Sequence, residues 1–242
     1  MTERIKVWDL PLRVFHWVLV AAVTGAFITG EFGGGLTDWH GRLGTLVLGL
    51  LIFRVIWGFA GSRYSRFTSF FPTPAKLQAY LKGEWREDGH SPLGALAVLA
   101  LLALLVGLAT TGLFANDDIA FQGPLFSLID KDLSDRLSGW HAQIFNLLAV
   151  MVALHLIAIA FYFFIKKNNL VMPMLTGHKK AKDHIHQAGD DHVANVSLTR
   201  FLIVALVSAG ITWAIHDGLQ LWHQQTSSAV NTKAQPVRIP NW

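Results

Sequence analysis

Five apolar runs, each close to or beyond twenty residues, decide what this 242-residue chain can fold into. They cover roughly residues 14 to 30, 39 to 60, 92 to 114, 139 to 165 and 199 to 222. A helix needs ~20 residues to cross a ~30 Å hydrocarbon core, and an isolated strand in lipid leaves its backbone groups unpaired. The runs therefore predict five membrane-spanning helices. Composition agrees: with 15% charged residues and a mean hydropathy of +0.40, the chain falls short of the ~25% charge of a water-soluble domain. A pI near 9.5 does not signal nucleic acid, because the basic residues fall between the apolar runs rather than on one solvated face. The absence of cysteine excludes disulfides, thioether-attached haem, thiolate-held iron–sulfur clusters and zinc–thiolate sites.

Lysine and arginine set the expected orientation. Residues 1 to 13 hold three, 61 to 91 five and 166 to 198 five, against none in 31 to 38, two in 115 to 138 and two after 222. By the positive-inside rule the N-terminus is cytoplasmic, and five crossings put the C-terminus in the periplasm. The first run, after Arg4, Lys6 and Arg13, has no small-x-small cleavage site at its exit and reads as a retained span rather than a signal peptide. Loop 115 to 138 is acidic (Asp117, Asp118, Asp130, Asp132, Asp135) and suits a basic partner or plain solvent. The expected layout is a four-helix unit over 1–176, a polar cytoplasmic linker over 177–198, a fifth helix over 199–222 and a periplasmic tail over 223–242. His178, His184, His186 and His192 enrich the linker, a composition that sometimes binds metal. Trp39, Trp140 and Trp222 fit an outer aromatic belt and Trp57 an inner one.

Ionisable residues within spans point to function, and four histidines lie there: His16, His40, His141 and His155. His141 and His155 are fourteen residues apart, ~21 Å along a helix axis and within ~40° of one face. His40 lies at the outer end of its span, level with His141, and His16 lies at the depth of His155. Two level pairs of neutral imidazoles across a bundle are the axial ligation of two six-coordinate haems. Arg54 repeats the fourteen-residue offset from His40 and suits a haem propionate, a quinone oxygen or simple snorkelling; Arg42 suits an outer propionate. Gly25, Gly30, Gly44, Gly49, Gly107 and Gly112 would let a flat macrocycle approach, though glycine is also ordinary in membrane packing.

The segments Val7-Trp-Asp-Leu-Pro-Leu-Arg-Val-Phe-His-Trp17, Trp39-His-Gly-Arg-Leu-Gly44, Phe53-Arg54, Gly61-Ser-Arg-Tyr-Ser-Arg-Phe67, Gly89-His-Ser-Pro-Leu93 and Gly139-Trp-His141 with His155 resemble the bacterial cytochrome b561 family. More narrowly, they resemble the cytochrome b subunits of nickel–iron hydrogenases. The likeness covers about residues 5 to 176, and the linker and fifth span have no counterpart in it. It implies a four-helix membrane cytochrome with two bis-histidine b haems, His40 with His141 and His16 with His155. It also implies electron transfer between a periplasmic partner, such as a c-type cytochrome or a hydrogenase subunit, and membrane quinone in the bacterial inner membrane. The chain thus reads as an electron-transfer subunit with no catalytic residues of its own rather than a self-standing enzyme. His90, Arg63 and Tyr64 are candidates to line a quinone pocket. A superoxide-to-quinone oxidoreductase is the first rival and needs a positive outer funnel, from Arg42, Lys131 and Arg136. A haem-free transporter or membrane anchor is the second, and no charged midplane cluster favours it.

Overall fold

The computed structural model describes residues 4–85, 89–119, 121–180, 196–218 and 221. Linker histidines 184, 186 and 192, Arg86, Trp222 and the expected tail lie outside the described residues.

Four of the helices begin at an N-cap whose side chain accepts a free N–H group of the first turn. Strand β1 (Arg4–Lys6) leads into α1 (Leu10–Phe32), whose N-cap Asp9 accepts from Leu12 N ahead of Pro11 in the first turn. A tight connection through Gly33 and Gly34, both at positive φ, reverses the chain into α2 (Thr37–Ala60). Short helices α3 (Phe67–Phe70) and α4 (Pro74–Leu81) follow, the latter capped by Thr73. Ser91 caps α5 (Pro92–Phe114), and Asp130 caps α6 (Lys131–Phe164). The chain then turns through α7 (Val171–Thr176) into β2 (His178–Lys180), which pairs antiparallel with β1. Helix α8 (Leu198–Trp213) follows and continues as a π turn to Gly218.

All five expected spans are present as helices long and apolar enough to cross a membrane. One boundary differs from the sequence reading. Helix α6 starts at Lys131, eight residues before the apolar run, because the Asp130 cap nucleates a polar turn that carries the helix ~12 Å further outward. In the fifth span the α-helix passes at Ala214 into a π turn that reaches Gly218.

Helix α1 packs along α2, α2 also packs on α5 and α8, and α6 runs along α5. Toward α1, α6 reaches by side chains, Phe27 stacking on Phe145 with ring centres 5.6 Å apart. The outward face of α6 shows Leu147, Val150, Leu154 and Ile157, a stripe at helical spacing suited to lipid. The opposite face carries His141, buried Leu148 and His155. Trp8, Leu12, Phe15, Phe53, Trp57 and Val204 form one core cluster near the N-terminal side, and Ala22, Val47, Leu51, Leu105 and Leu148 another at mid-depth. The β1–β2 pair brings the N-terminus beside residues 178–180 on that same side. Gly177 is required there: its φ is +84°, its carbonyl accepts from Val7 and Trp8, and a Cβ would lie 2.9 Å from the Trp8 carbonyl oxygen.

Candidate functional site

The four span histidines lie on three helices at two levels, called outer and inner after the orientation expected from the charge distribution. At the outer level His40 of α2 faces His141 of α6, with ring centres 6.0 Å apart and planes at 77°. Each ring is anchored through Nδ1. That of His40 is 2.8 Å from the Ala26 carbonyl on α1, and that of His141 is 2.9 Å from the Leu108 carbonyl on α5, with Thr111 Oγ1 at 3.2 Å. A carbonyl only accepts, so Nδ1 donates in both, which fixes the tautomer and leaves Nε2 with a free lone pair.

Two of the six glycines serve these rings directly. A Cβ at Gly30 would lie 2.7 Å from His40 Nδ1, and one at Gly112 would lie 3.0 Å from His141 Cε1. Gly25, Gly49 and Gly107 instead give way to Leu43, Thr212 and Ile144, while Gly44 meets nothing within 4 Å. The glycines thus make room chiefly for protein side chains.

At the inner level His16 of α1 and His155 of α6 are close enough to act on each other electrostatically. They are not anchored as the outer pair is: His16 Nδ1 is buried with no hydrogen-bond partner among the described residues, and Trp17 packs edge-on at 5.1 Å. The stacked Phe27 and Phe145 lie between the two levels, four residues along α6 from His141 and ten from His155.

Below the inner pair is a polar cluster only part of which the sequence reading found. The Asp9 carboxylate, 1% exposed, accepts from Leu12 N (2.8 Å), Trp57 Nε1 (3.2 Å), Ser62 Oγ (2.6 Å) and Ser65 Oγ (2.6 Å), with Ser62 N at 3.4 Å. It ties the start of α1 to the end of α2 and the turn beyond it. Arg54, 2% exposed, sits over the Phe67 ring at 4.6 Å. His90 is wedged between Trp8 (4.6 Å) and Phe70 (4.5 Å). Burial first, and the positive charge of Arg54 second, lower the His90 pKa to about 3, so its imidazole is neutral at physiological pH. Tyr64 backs onto Gly89, where a Cβ would lie 3.0 Å from its ring, while Arg63 is exposed. Asp9 announces itself as an N-cap just ahead of an apolar run, but its serine partners are more than fifty residues away and no local spacing connects them.

Arg42 is placed differently from Arg54. Its guanidinium lies 5.1 Å from the centre of the Trp39 ring, and it lines an open groove of about 630 Å³ between α1, α2 and α8. At the outer surface Lys131 is bound to Asp118 (2.7 Å) and Asp135 (2.8 Å). His178 Nδ1 is 2.9 Å from its neighbour Thr176's carbonyl, and no metal-binding group of histidines and acids occurs among the described residues.

An all-α membrane protein with imidazoles facing each other inside the bundle is of the class that holds a cofactor between its helices. The chain belongs to the prokaryotic cytochrome b561 family, whose model matches residues 7–177. It is 24% identical over 225 residues to the probable Ni/Fe-hydrogenase B-type cytochrome subunit of Azotobacter chroococcum mcd 1, covering 74% of this chain and 90% of that one. Identity to the corresponding protein of Cupriavidus necator is 25%, over 73% of this chain and 87% of the relative. The probable Ni/Fe-hydrogenase 1 B-type cytochrome subunit of Escherichia coli (strain K12) is 25% identical over 137 residues, 44% of this chain and 57% of that one. No solved structure gives a significant match. The protein is thus a multi-pass membrane b-type cytochrome; haem b is its cofactor and membrane electron transfer its work. The donor set fits that group. His40 and His141 face each other inside the bundle, each with Nδ1 engaged by a backbone carbonyl and Nε2 left as the nitrogen that would hold a metal.

Proposed function

We propose that the chain is a di-haem cytochrome b subunit carrying electrons between a redox protein on its outer face and the membrane quinone pool. The observation that carries this reading is the outer pair: His40 and His141 face each other with both Nδ1 atoms held by backbone carbonyls. His16 and His155 repeat the pairing at the inner level. Haem b, when bound, supplies a one-electron couple. The four histidines would hold it through ring nitrogens, with a fixed ring orientation at the outer level and apolar surroundings that keep water away. Arg54 is the buried cation available to an oxygen acceptor at the inner level, and Arg42 belongs to the membrane interface over Trp39.

Residues 1–176 form the di-haem unit in this reading, and α8 is an added helix. The charge distribution supports a cytoplasmic N-terminus in a bacterial inner membrane, with the outer histidines facing the periplasm. The partner is inferred from relatives that carry the name of a hydrogenase cytochrome subunit; a c-type cytochrome meets the same outer face in the alternative. The superoxide reading is disfavoured because Lys131, one of its three funnel cations, is neutralised by two aspartates.

Reduced-minus-oxidised spectra with haem extraction on purified protein test this. Two b haems per chain are expected, falling to one in His155→Ala and to one in His141→Ala. A single haem in the wild type refutes the two-level assignment.

A further inference from the structure

Arg54 is a buried charge with an unanswered hydrogen bond. It is 2% exposed, and its Nη1 has no partner among the described residues. An ion enclosed in a low-dielectric setting needs both its charge and its N–H groups satisfied. Asp9 is near enough to answer the charge. It does not answer the hydrogen bond, because its oxygens already receive Leu12 N, Trp57 Nε1, Ser62 N and the Ser62 and Ser65 hydroxyls. The site is therefore balanced in charge but has a spare donor. A carboxylate placed there would set a second anion beside Asp9 for one cation, whereas a neutral carbonyl oxygen would satisfy Nη1 and leave the balance intact.

A second unpartnered group lies alongside. His90 Nδ1 is buried with no hydrogen-bond partner among the described residues, and His90 is within electrostatic reach of Arg54. The rings of Trp8, Phe67 and Phe70 surround the two, at 4.6 Å from His90, 4.6 Å from Arg54 and 4.5 Å from His90 respectively. Flat apolar faces beside two unpartnered polar groups suit a planar ring bearing carbonyls. The depth also matches the inner histidines: Arg54 is six residues from the end of α2 and His16 six residues from the start of α1, each ~9 Å in from the same side.

We propose that Arg54 and His90 form the headgroup site for the membrane quinone, with Arg54 Nη1 donating to one carbonyl oxygen and His90 contacting the same headgroup. The assignment rests on the quinone reading above and narrows its candidates: Arg54 joins His90, while Arg63, exposed on the connection, drops out. The same oxygen-acceptor chemistry is available from a haem propionate, and the charge balance with Asp9 decides between the two.

The test is anaerobic stopped-flow reduction of the haem by decylubiquinol and by menadiol, on the full chain in lipid nanodiscs. Arg54→Gln is expected to raise the half-saturating quinol concentration about tenfold or more, Arg54→Lys less, and His90→Gln severalfold. Haem stoichiometry stays at the wild-type value, and in the charge-keeping Arg54→Lys both midpoint potentials stay there too. Loss of haem, or a shifted inner potential with quinol saturation unchanged, assigns Arg54 to a propionate and overturns the proposal. Unchanged saturation in both Arg54→Gln and His90→Gln overturns it as well. Should these variants fail to fold, an azidoquinone photolabel on the wild type reads the same question. Label between residues 54 and 92 supports the site, and label elsewhere refutes it. A wild type reduced by dithionite but by neither quinol removes the quinone reading itself, which separates that failure from a misplaced site.

Discussion

Replacing Asp9 with alanine tests whether one carboxylate fastens the N-terminal side of the bundle. The side chain is 1% exposed and receives five donor groups: Leu12 N, Trp57 Nε1, Ser62 N and the hydroxyls of Ser62 and Ser65. Not all are stranded by its loss. The two serine hydroxyls are 3.1 Å apart, so one donates to the other, and Ser62 N at 3.4 Å makes a weak contact. What remains is a lost N-cap, worth ~1 kcal/mol, and two buried donors without acceptors, Trp57 Nε1 and one hydroxyl, at ~1–3 kcal/mol each. Arg54 also loses its neighbouring anion. The expected destabilisation is about 4 kcal/mol, or roughly 10 °C in melting temperature for a chain of this size. Far-UV circular dichroism melts in a mild detergent measure it. Asp9→Asn keeps an acceptor oxygen and the cap, and falls by about half as much. The cost is shared within one network, so adding Ser65→Ala to Asp9→Ala costs far less than Ser65→Ala alone. An Asp9→Ala protein melting within 2–3 °C of the wild type would show that the network carries little stability, and the reasoning would be wrong.

Three further outcomes are expected. Gly112→Ala places a methyl 3.0 Å from the His141 ring, and Gly30→Ala places one 2.7 Å from His40. Each displaces a proposed outer ligand at ~1–3 kcal/mol, and haem extraction should show the outer haem depleted and the inner one retained. His90 has a folded-state pKa of about 3 against 6.5 unfolded. The unfolded chain therefore binds the extra proton between those values, and stability is full above pH 6.5 and declines below it. About 2 kcal/mol is lost by pH 5, and chemical denaturation should show a flatter pH profile for His90→Gln. Truncation after residue 197 removes α8, which holds none of the four histidines and lies outside the family match. Haem content should stay at the wild-type ratio while the melting temperature drops, since Phe201 and Val204 leave the cluster around Phe53 and Trp57.

The spans were legible because lipid imposes a length and an apolarity that any window along the chain detects. The histidine levels were legible because helix geometry converts a fourteen-residue spacing into depth and direction, as His141 and His155 illustrate. The start of α6 was not, since the turn from Lys131 to Ser138 is polar and only the Asp130 cap marks it. The fine structure of the site was hidden for another reason. The Ala26 and Leu108 carbonyls that orient His40 and His141 belong to different helices from the rings they hold. Backbone acceptors leave no trace in residue identity. Glycine shows the opposite failure: Gly30 and Gly112 were visible, but only the packing reveals that each clears a histidine ring.

The two levels differ in a way that matches the directions proposed for them. At the outer level carbonyls on α1 and α5 hold both rings, and Gly30 and Gly112 clear the space they occupy. At the inner level His16 Nδ1 has no partner among the described residues, and order is concentrated just below it, in Asp9 and its ring of donors. Asp9 caps the helix that carries His16 and binds the turn that follows Arg54's helix, so a single side chain sets the relative height of both. In the proposed reading, a fixed outer pair suits exchange with a protein docking on a rigid surface. An inner pair positioned through a charge-balanced polar cluster suits exchange with a small neutral molecule, whose arrival adds a hydrogen bond without adding charge.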